Sequence, residues 1–387
     1  MEHSQIYTLA NTATGEALGQ SNVLKEDLSN LVDVGTSVIN ANAVDNYVRS
    51  LVNLVGRMIF VDRAYRGNVP SVLMDGWEFG SVLEKIAADL PEATENESWL
   101  LNDQQSYDPN VFYCPTVTAK FFNKRVTFEI PRSFTERQAK ESFNNAAQLN
   151  GFISMLYTAV ENSMTVKVDE LIMRTINNMI GETVHDDFGS NSISGASHVK
   201  AVNLLYLYNN GPNAGGTPIT AAAALTTPAF IRFAAYHMGL YKSRLSKMST
   251  LFNAGGKERF TPADRLHFVT LADFQQAADV YLQSDTYHDE FTRLPAAETV
   301  PYWQGSGTGY AFTDTGKVYI TTASGDDVTV TGVLGVMFDR DALGVSNLDR
   351  RVTTNYNPKA EFYTNWYKFD AGFFNDLNEN FVVFFAA

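Results

Sequence analysis

The chain has 387 residues, enough for two or three folded lobes, and its 45% hydrophobic content is typical of a folded protein and not of a disordered one. Its formal net charge of −14 argues against general nucleic-acid binding, which needs clustered lysine and arginine, and its one cysteine excludes an intrachain disulfide. The first residues lack the regions of a signal peptide, and no run approaches the ~20 apolar residues that span a bilayer, so we expect a soluble product with no membrane partner.

Residues 1–41 are rich in Asn, Thr, Ser and Ala and show no sustained hydrophobic period. Alone they would bury too little apolar surface to become ordered, so they are either an arm that lies on another surface or a frayed terminus. From Asn42 apolar residues return at helical spacing, which predicts a short amphipathic core helix ending near Ile59.

Residues 68–118 are acidic, with short apolar bursts broken by glycine and proline. Between positions 75 and 108 there are nine acidic residues and one basic residue, Lys85, a net charge of −8. This pattern predicts a long two-armed excursion of strands. Because a two-stranded ribbon is marginal in water, we expect its tryptophans, Trp77 and Trp99, to rest on a partner.

A basic segment with a net charge of +4 follows between positions 120 and 140. Val126, Phe128 and Ile130 alternate with polar residues, which predicts a half-buried strand. A capping box at Ser133 then opens a long apolar stripe at helical spacing, and we predict a helix that ends at Gly181 as a rod of ~70 Å.

The remainder of the chain alternates strand and helix patterns. Residues 181–225 are loop-rich, a helix opens at Thr227-Pro228, and further strands are predicted between 299 and 338 and at the C-terminal 380–385. A strand at Leu266–Leu271 and a helix at Ala272–Phe291 lie between them. This alternation predicts an α+β lobe.

The isolated motifs do not support catalysis. The six histidines match no metal-binding spacing, Gly255-Gly256-Lys257 lacks the Ser or Thr of a phosphate loop, and Cys114, on a predicted strand, has no basic neighbour in sequence. We therefore expect no catalytic residue, cofactor or metal site, and a protein that is not an enzyme. An acidic carbohydrate-binding or hydrolytic α+β protein remains an alternative, and it would need a carboxylate pair that converges on an aromatic cleft.

The strand Thr127–Pro131, which leads into the long helix, and the C-terminal motifs Gly335–Gly344, Asp349–Arg351, Phe369-Asp370 and Phe374–Asp376 together resemble the major capsid proteins of tailed phages. That family has the Hong Kong 97-type fold, and the resemblance covers the chain clearly from about Asn42 and weakly before it. The α+β fold that it implies has six parts: an N-terminal arm (1–41), an N-terminal helix and lead-in (42–67), an extended loop (68–118), a peripheral domain with a long spine helix (119–180), an axial domain (181–335) and a C-terminal return to the peripheral domain (336–387).

The resemblance also implies a function. The chain would be a structural protein of the virion that assembles in the host bacterial cytoplasm, as hexamers and pentamers, into an icosahedral head around double-stranded DNA. Its partners would be copies of itself, a portal at one vertex and the packaged DNA, bound without sequence specificity, while decoration proteins stay undecided. Because the chain reaches the predicted spine quickly, we expect a separate scaffolding protein. An encapsulin-like bacterial compartment protein is an alternative, although no cargo-binding feature is present.

In such shells the extended loop lies over the neighbouring subunit. We expect the acidic loop of one subunit to dock on the basic strand and helix start of the next; the alternative is two solvated faces that never meet. A single exposed ion pair contributes at most ~1 kcal/mol, so the charges would set the register while aromatic burial supplies the affinity. The predicted inter-subunit contacts are Trp77, Phe79, Glu84, Glu92, Glu95, Glu97, Trp99, Lys124, Arg125, Arg132, Arg137 and Lys140.

Overall fold

The structure, a computed structural model, describes residues 64–74, 83–96, 100–135, 146–189, 195–283, 298–305 and 311–387, and the single positions 11 and 193. Most of the predicted arm and the helix predicted from Asn42 to Ile59 lie outside these residues. The chain divides into two compact units, residues 1–62 with 150–155 and residues 63–149 with 156–387. The contacts described below belong to the second unit.

A long helix, α1 (Ala146–Phe188, 43 residues), confirms the predicted rod and is about 65 Å long. Its buried stripe includes Val160, Met164, Leu171 and Ile176, which join the main hydrophobic core.

Both predicted ends of this helix are wrong. Ser133 is not a helix cap, because it lies in the strand β4 (Arg125–Thr135), where its hydroxyl shares a hydrogen bond of 2.8 Å with Thr364. Gly181 is not a stop, because α1 continues through it. A Cβ atom at that position would lie 2.2 Å from Cγ1 of Ile320, so the glycine permits a close approach of the packed side chain.

In the described part of the chain, one sheet has four strands in the order β1-β11-β12-β4. These are β1 (Leu73–Met74), β11 (Leu343–Asn357), β12 (Phe362–Asn375) and β4. β1 is parallel to β11, and the other neighbours are antiparallel. Phe128 stacks on Phe369, its cross-strand partner in β12, with ring centroids 6.2 Å apart. The half-buried strand predicted before the helix is therefore confirmed.

A second sheet of five described strands has the order β5-β13-β10-β6-β7. Its strands are β5 (Ala201–Asn203), β13 (Phe381–Phe385), β10 (Val333–Asp339), β6 (Leu266–Leu271) and β7 (Glu298–Val300). Every residue of β10 and β13 is buried, because both faces of these central strands are covered. The predicted strands at Leu266–Leu271 and at the C-terminus are confirmed.

The remaining described elements lie outside the two larger sheets. The helices are α2 (Leu204–Asn210), α3 (Ala221–Ala224), α4 (Pro228–Leu245), α5 (Ala272–Gln283) and α6 (Phe312–Thr315), with a 3-10 turn at Pro70–Val72. Two hairpins pair β2 (Leu83–Ala88) with β3 (Val117–Phe122) and β8 (Val318–Thr321) with β9 (Asp327–Val330). The helix predicted after Thr227 is confirmed, and the next is confirmed as far as Gln283.

No helix among the residues that the structure describes combines the length and the apolar character that crossing a membrane requires.

Candidate interaction surface

The ribbon of β2 and β3 is the stem of the predicted extended loop, and its two faces differ in character. Lys85 lies directly opposite Lys120, and Ile86 opposite Ala119. Exposure alternates along both strands, so the lysines point towards the body of the subunit while Ile86 and its neighbour Phe121 point to solvent. The two-armed strand prediction is confirmed for the stem, and the chain between the two strands forms the tip of the loop.

The inward face makes both apolar and ionic contacts: Phe122 packs against Phe374 with ring centroids 5.2 Å apart, and the two lysines form ion pairs. Lys85 Nζ donates to Asp376 Oδ2 at 2.8 Å and to Glu379 Oε1 at 2.7 Å, and Lys120 Nζ donates to Asp376 Oδ1 at 2.8 Å. The side chain of Asp376 is only 2% exposed, and each of its two oxygens accepts a hydrogen bond from one of the loop's lysines.

Two further pairs extend this arrangement. Asp89, immediately after β2, accepts hydrogen bonds from Lys257 Nζ at 3.0 and 3.2 Å. Arg259 Nε donates to Glu379 Oε1 at 3.2 Å. We call these seven residues the root cluster: Lys85, Asp89, Lys120, Lys257, Arg259, Asp376 and Glu379.

The root cluster also sets the ionisation of its most buried member. Burial of Asp376 disfavours its charged form, but the hydrogen bonds donated by Lys120 and Lys85 outweigh burial and hold the pKa of this carboxyl below its usual value. Asp376 is therefore an ionised carboxylate at neutral pH, held between two ammonium groups.

The outward face and the tip of the loop expose large apolar side chains. Ile86, Val117 and Phe121 are exposed on the ribbon. At the tip Phe112 is 85% exposed and Tyr113 is 83% exposed. The other large apolar side chains exposed there are Leu90, Leu100, Leu101, Tyr107 and Val111. Large exposed apolar patches of this kind mark interaction sites.

Six of the predicted contact residues are described. Glu84, Glu92 and Glu95 are exposed on the loop, and Lys124, Arg125 and Arg132 are exposed on or beside β4. The described contacts contain no ion pair between these acids and these bases. Trp77, Phe79, Glu97, Trp99, Arg137 and Lys140 lie outside the described residues.

Arg125 has an intrachain role as well. It lies close enough to Asp370 to help lower the pKa of that carboxyl, after the larger effect of the hydrogen bond from Arg351.

Sequence reasoning missed the root cluster entirely. The one available signal was Lys85 itself, the single base in an acidic segment.

A cleft of about 470 Å³ lies beside α1, and its lining includes Asp169, Glu170 and the aromatic residues Tyr302, Trp303 and Tyr319. This is the kind of place where a hydrolytic carboxylate pair would be sought. However, Asp169 accepts hydrogen bonds from the main-chain N–H of Asn68 at 3.0 Å and from the Tyr65 hydroxyl at 3.2 Å. Glu170 pairs with Lys167 on the same helix at 2.7 Å. Both carboxylates are thus engaged in structural contacts.

Cys114 lies in the loop before β3 and is exposed, so its predicted placement on a strand is wrong. Within the ranges that the structure covers, no group of three or more His, Cys, Asp or Glu side chains could hold a metal ion.

Comparison with known proteins gives a consistent result. The family model for Phi29-like phage major capsid proteins matches residues 9–385. The fold is similar to a chain in the capsid structure of Staphylococcus phage Andhra, with a TM-score of 0.52, 9% identity, and 86% of this chain and 87% of that chain covered. It is also similar to a chain from the structure of the head fiber and inner core protein gp22 of native bacteriophage P68, with a TM-score of 0.51, 10% identity, and coverage of 86% and 88%. No curated protein sequence matches the chain.

Proposed function

The chain belongs to the Phi29-like phage major capsid protein family, and on that premise we propose that it assembles as hexamers and pentamers into the icosahedral head around the double-stranded DNA of a tailed phage. The family match over residues 9–385 is the observation that carries this proposal. The protein is then a structural component of the virion, built in the host cytoplasm, and its work is assembly and not catalysis. The partners proposed beside its own copies are a scaffolding protein, a portal and the packaged DNA.

The parts of the Hong Kong 97-type fold are proposed at the following positions: arm 1–41, lead-in 42–67, extended loop 68–118, peripheral domain 119–180, axial domain 181–335 and C-terminal return 336–387. One detail of the structure bears on these bounds. Because α1 is continuous to Phe188, the peripheral domain is better ended after that residue than at Gly181.

We infer that the extended loop docks on the next subunit through its apolar face. Burying one large apolar side chain stabilises an interface by about 1.5–3 kcal/mol, so Phe112, Tyr113 and Phe121 together outweigh several exposed ion pairs. An isolated ribbon that exposes this much apolar surface is expected to find a partner. In a shell of identical subunits, the partner is another copy.

The charges then determine how the loop is aligned on the neighbouring subunit. Glu84, Glu92 and Glu95 on the loop have no described basic partner in their own chain, and neither do Lys124 and Arg132 near β4. Opposite charges left unpaired in one subunit are available to the next. The charge contribution is smaller than the sequence count implies, because Asp89 and Lys120 are already paired in the root cluster.

Co-expression with the scaffolding protein tests the function directly, because shell subunits should appear as hollow particles in negative-stain microscopy. Elution of the co-expressed chain only as a small oligomer would contradict the proposal.

The register is tested by the triple reversal Lys124→Glu, Arg125→Glu and Arg132→Glu. We expect it to reduce shell yield most strongly at low salt, where exposed charges are least screened. The matched control makes the same change in charge at three exposed lysines elsewhere: Lys242→Glu, Lys247→Glu and Lys317→Glu.

The apolar anchor is tested by Phe112→Ala with Tyr113→Ala. Both side chains are almost fully exposed in the subunit, so its melting temperature should be unchanged while shell yield falls. Normal shells from this double variant would show that the tip is not an anchor.

A further inference from the structure

Two lysines face each other across the stem of the loop. Lys85 and Lys120 are directly opposed in the register of β2 and β3, an arrangement of like charges that destabilises a ribbon. Here both ammonium groups bind one buried carboxylate, that of Asp376. This ionic contact forms only where Asp376 lies, which makes it directional in a way that the apolar contact of Phe122 with Phe374 is not.

The root cluster holds the loop at several points. Asp376 binds one lysine from each strand, Glu379 binds Lys85, and Lys257 binds Asp89 beyond the end of β2. Contacts on both strands and at a third point along the stem restrain rotation about its axis as well as its tilt.

The acceptor side of the cluster is itself firmly placed. The main-chain N–H of Asp376 donates to Ala342 at 2.7 Å, and that of Gly255 donates to Leu377 at 2.8 Å. A Cβ atom at Gly255 would lie 2.0 Å from Oδ1 of Asn378, so the 253–257 turn and the 376–379 turn are in direct contact. The loop is thus tied to a rigid corner of the subunit.

We propose that Lys85, Lys120 and Asp89 are positioning residues, which fix the direction of the extended loop in the free subunit before it meets a neighbour. This inference rests on the proposed function, since direction matters only if the loop must reach another copy. The six-residue stem is about 20 Å long, and a point on the loop that lies as far again beyond Asp89 is displaced by about 3.5 Å when the stem rotates by roughly 10°. That is enough to misplace an apolar anchor, and it explains why the root uses several directional contacts.

The chain offers a convenient reporter, because its one cysteine, Cys114, is exposed on the loop. A second spin label is introduced in the body by Ser243→Cys on the exposed face of α4. Distance distributions between the two labels are then measured on the full-length free subunit. The variants are Asp89→Lys, Lys257→Asp and the double variant that exchanges the two charges. Both side chains are partly exposed, so these variants are expected to fold.

We expect a narrow distribution for the unaltered root, roughly a doubling of its width in each single variant, and recovery in the charge-exchanged double variant. Shell yield should fall and recover in the same order, with the melting temperature changing little. Equal widths in all four proteins would overturn the proposal, as would a double variant as broad as the single ones. Normal shells from a broadened single variant would overturn the role in assembly. If the unaltered protein formed no shells, the proposed function would fail, and the widths alone would decide whether the root is fixed.

Discussion

Replacing Asp376 by asparagine removes the charge at the centre of the root cluster without changing the shape of the side chain. Asp376 accepts one hydrogen bond from each of two lysines, both at 2.8 Å, and a third from the main-chain N–H of Asn378 at 3.1 Å. An asparagine keeps one acceptor oxygen but presents an N–H₂ group to the other lysine, so at least one lysine loses its hydrogen bond to this side chain.

The size of the effect follows from exposure. A hydrogen bond to a charged group contributes about 1.5–3 kcal/mol, and breaking a fully buried ion pair costs about 3–5 kcal/mol. The lysines are 21% and 40% exposed, so water recovers part of the loss. We therefore expect Asp376→Asn to lower the free energy of unfolding at pH 7 by about 2–3 kcal/mol, below the fully buried limit.

The effect should depend on pH. The pKa of Asp376 is lowered in the folded protein from its usual 3.8, so its charge stabilises the fold fully above pH 3.8. That contribution is lost as the pH falls through the pKa that Asp376 has in the folded protein. The protonated carboxyl is then neutral, like the side chain of asparagine. The difference in the free energy of unfolding between the unaltered protein and the variant should consequently shrink as the pH falls below about 4.

Urea unfolding of the free subunit, followed by circular dichroism from pH 7 downwards, measures both quantities. Asp264→Asn is the matched control, because Asp264 is exposed and forms no ion pair with a described residue; it should change stability by less than about 0.5 kcal/mol. A difference that stays constant with pH, or no loss of stability at pH 7, would refute the assignment of Asp376 as the ionised centre of the cluster.

Two predictions concern the core. Gly181→Ala should lower the free energy of unfolding by about 1–3 kcal/mol, because the new Cβ meets Cγ1 and Cδ1 of Ile320 at 2.2 and 2.3 Å. In a variant that already carries Ile320→Ala, which removes both atoms, the same change should cost less in urea unfolding. A gain of about 1 kcal/mol from Gly181→Ala, as helix propensity alone predicts, would contradict the close packing. Trp303→Phe removes the indole N–H that donates at 3.0 Å to a main-chain oxygen of β10, and we expect a loss of about 1–3 kcal/mol in the same assay. Unchanged stability in Trp303→Phe would show that this buried hydrogen bond adds nothing.

The elements that sequence reasoning placed correctly carry local signals. Pro228 follows a threonine at the first turn of α4, and the strand at Leu266–Leu271 and the C-terminal strand are apolar runs of strand length. The signals that failed were also local, but a distant contact overrode each one. The capping box at Ser133 competes with eleven residues of pairing between β4 and β12, and Gly181 accommodates a side chain of β8.

The root cluster could not be predicted for the same reason. Lys85 and Asp376 are 291 residues apart, and Asp89 and Lys257 are 168 apart, so no window of sequence contains both members of either pair. A period-2 strand pattern does place Lys85 on one face of β2 and Ile86 on the other. It does not say which face meets the subunit. Each face carries a phenylalanine, Phe122 on the inner side and Phe121 on the outer side, so apolar content does not decide between the two faces.

The exposed outer face is the strongest physical argument about the loop. A ribbon that had only to fold onto its own subunit would bury Ile86, Val117 and Phe121 and leave its lysines in water, because that arrangement gains apolar burial and avoids burying the charge of Asp376. The observed stem packs Phe122 against Phe374 but leaves Ile86, Val117 and Phe121 exposed, so part of its apolar surface is not buried within one chain. Such an arrangement is favourable only if the outer face is covered later, while the directional ionic face keeps the stem in place until then. The outer face thus needs a neighbouring subunit to cover it, and the root cluster keeps the stem in place until that subunit binds.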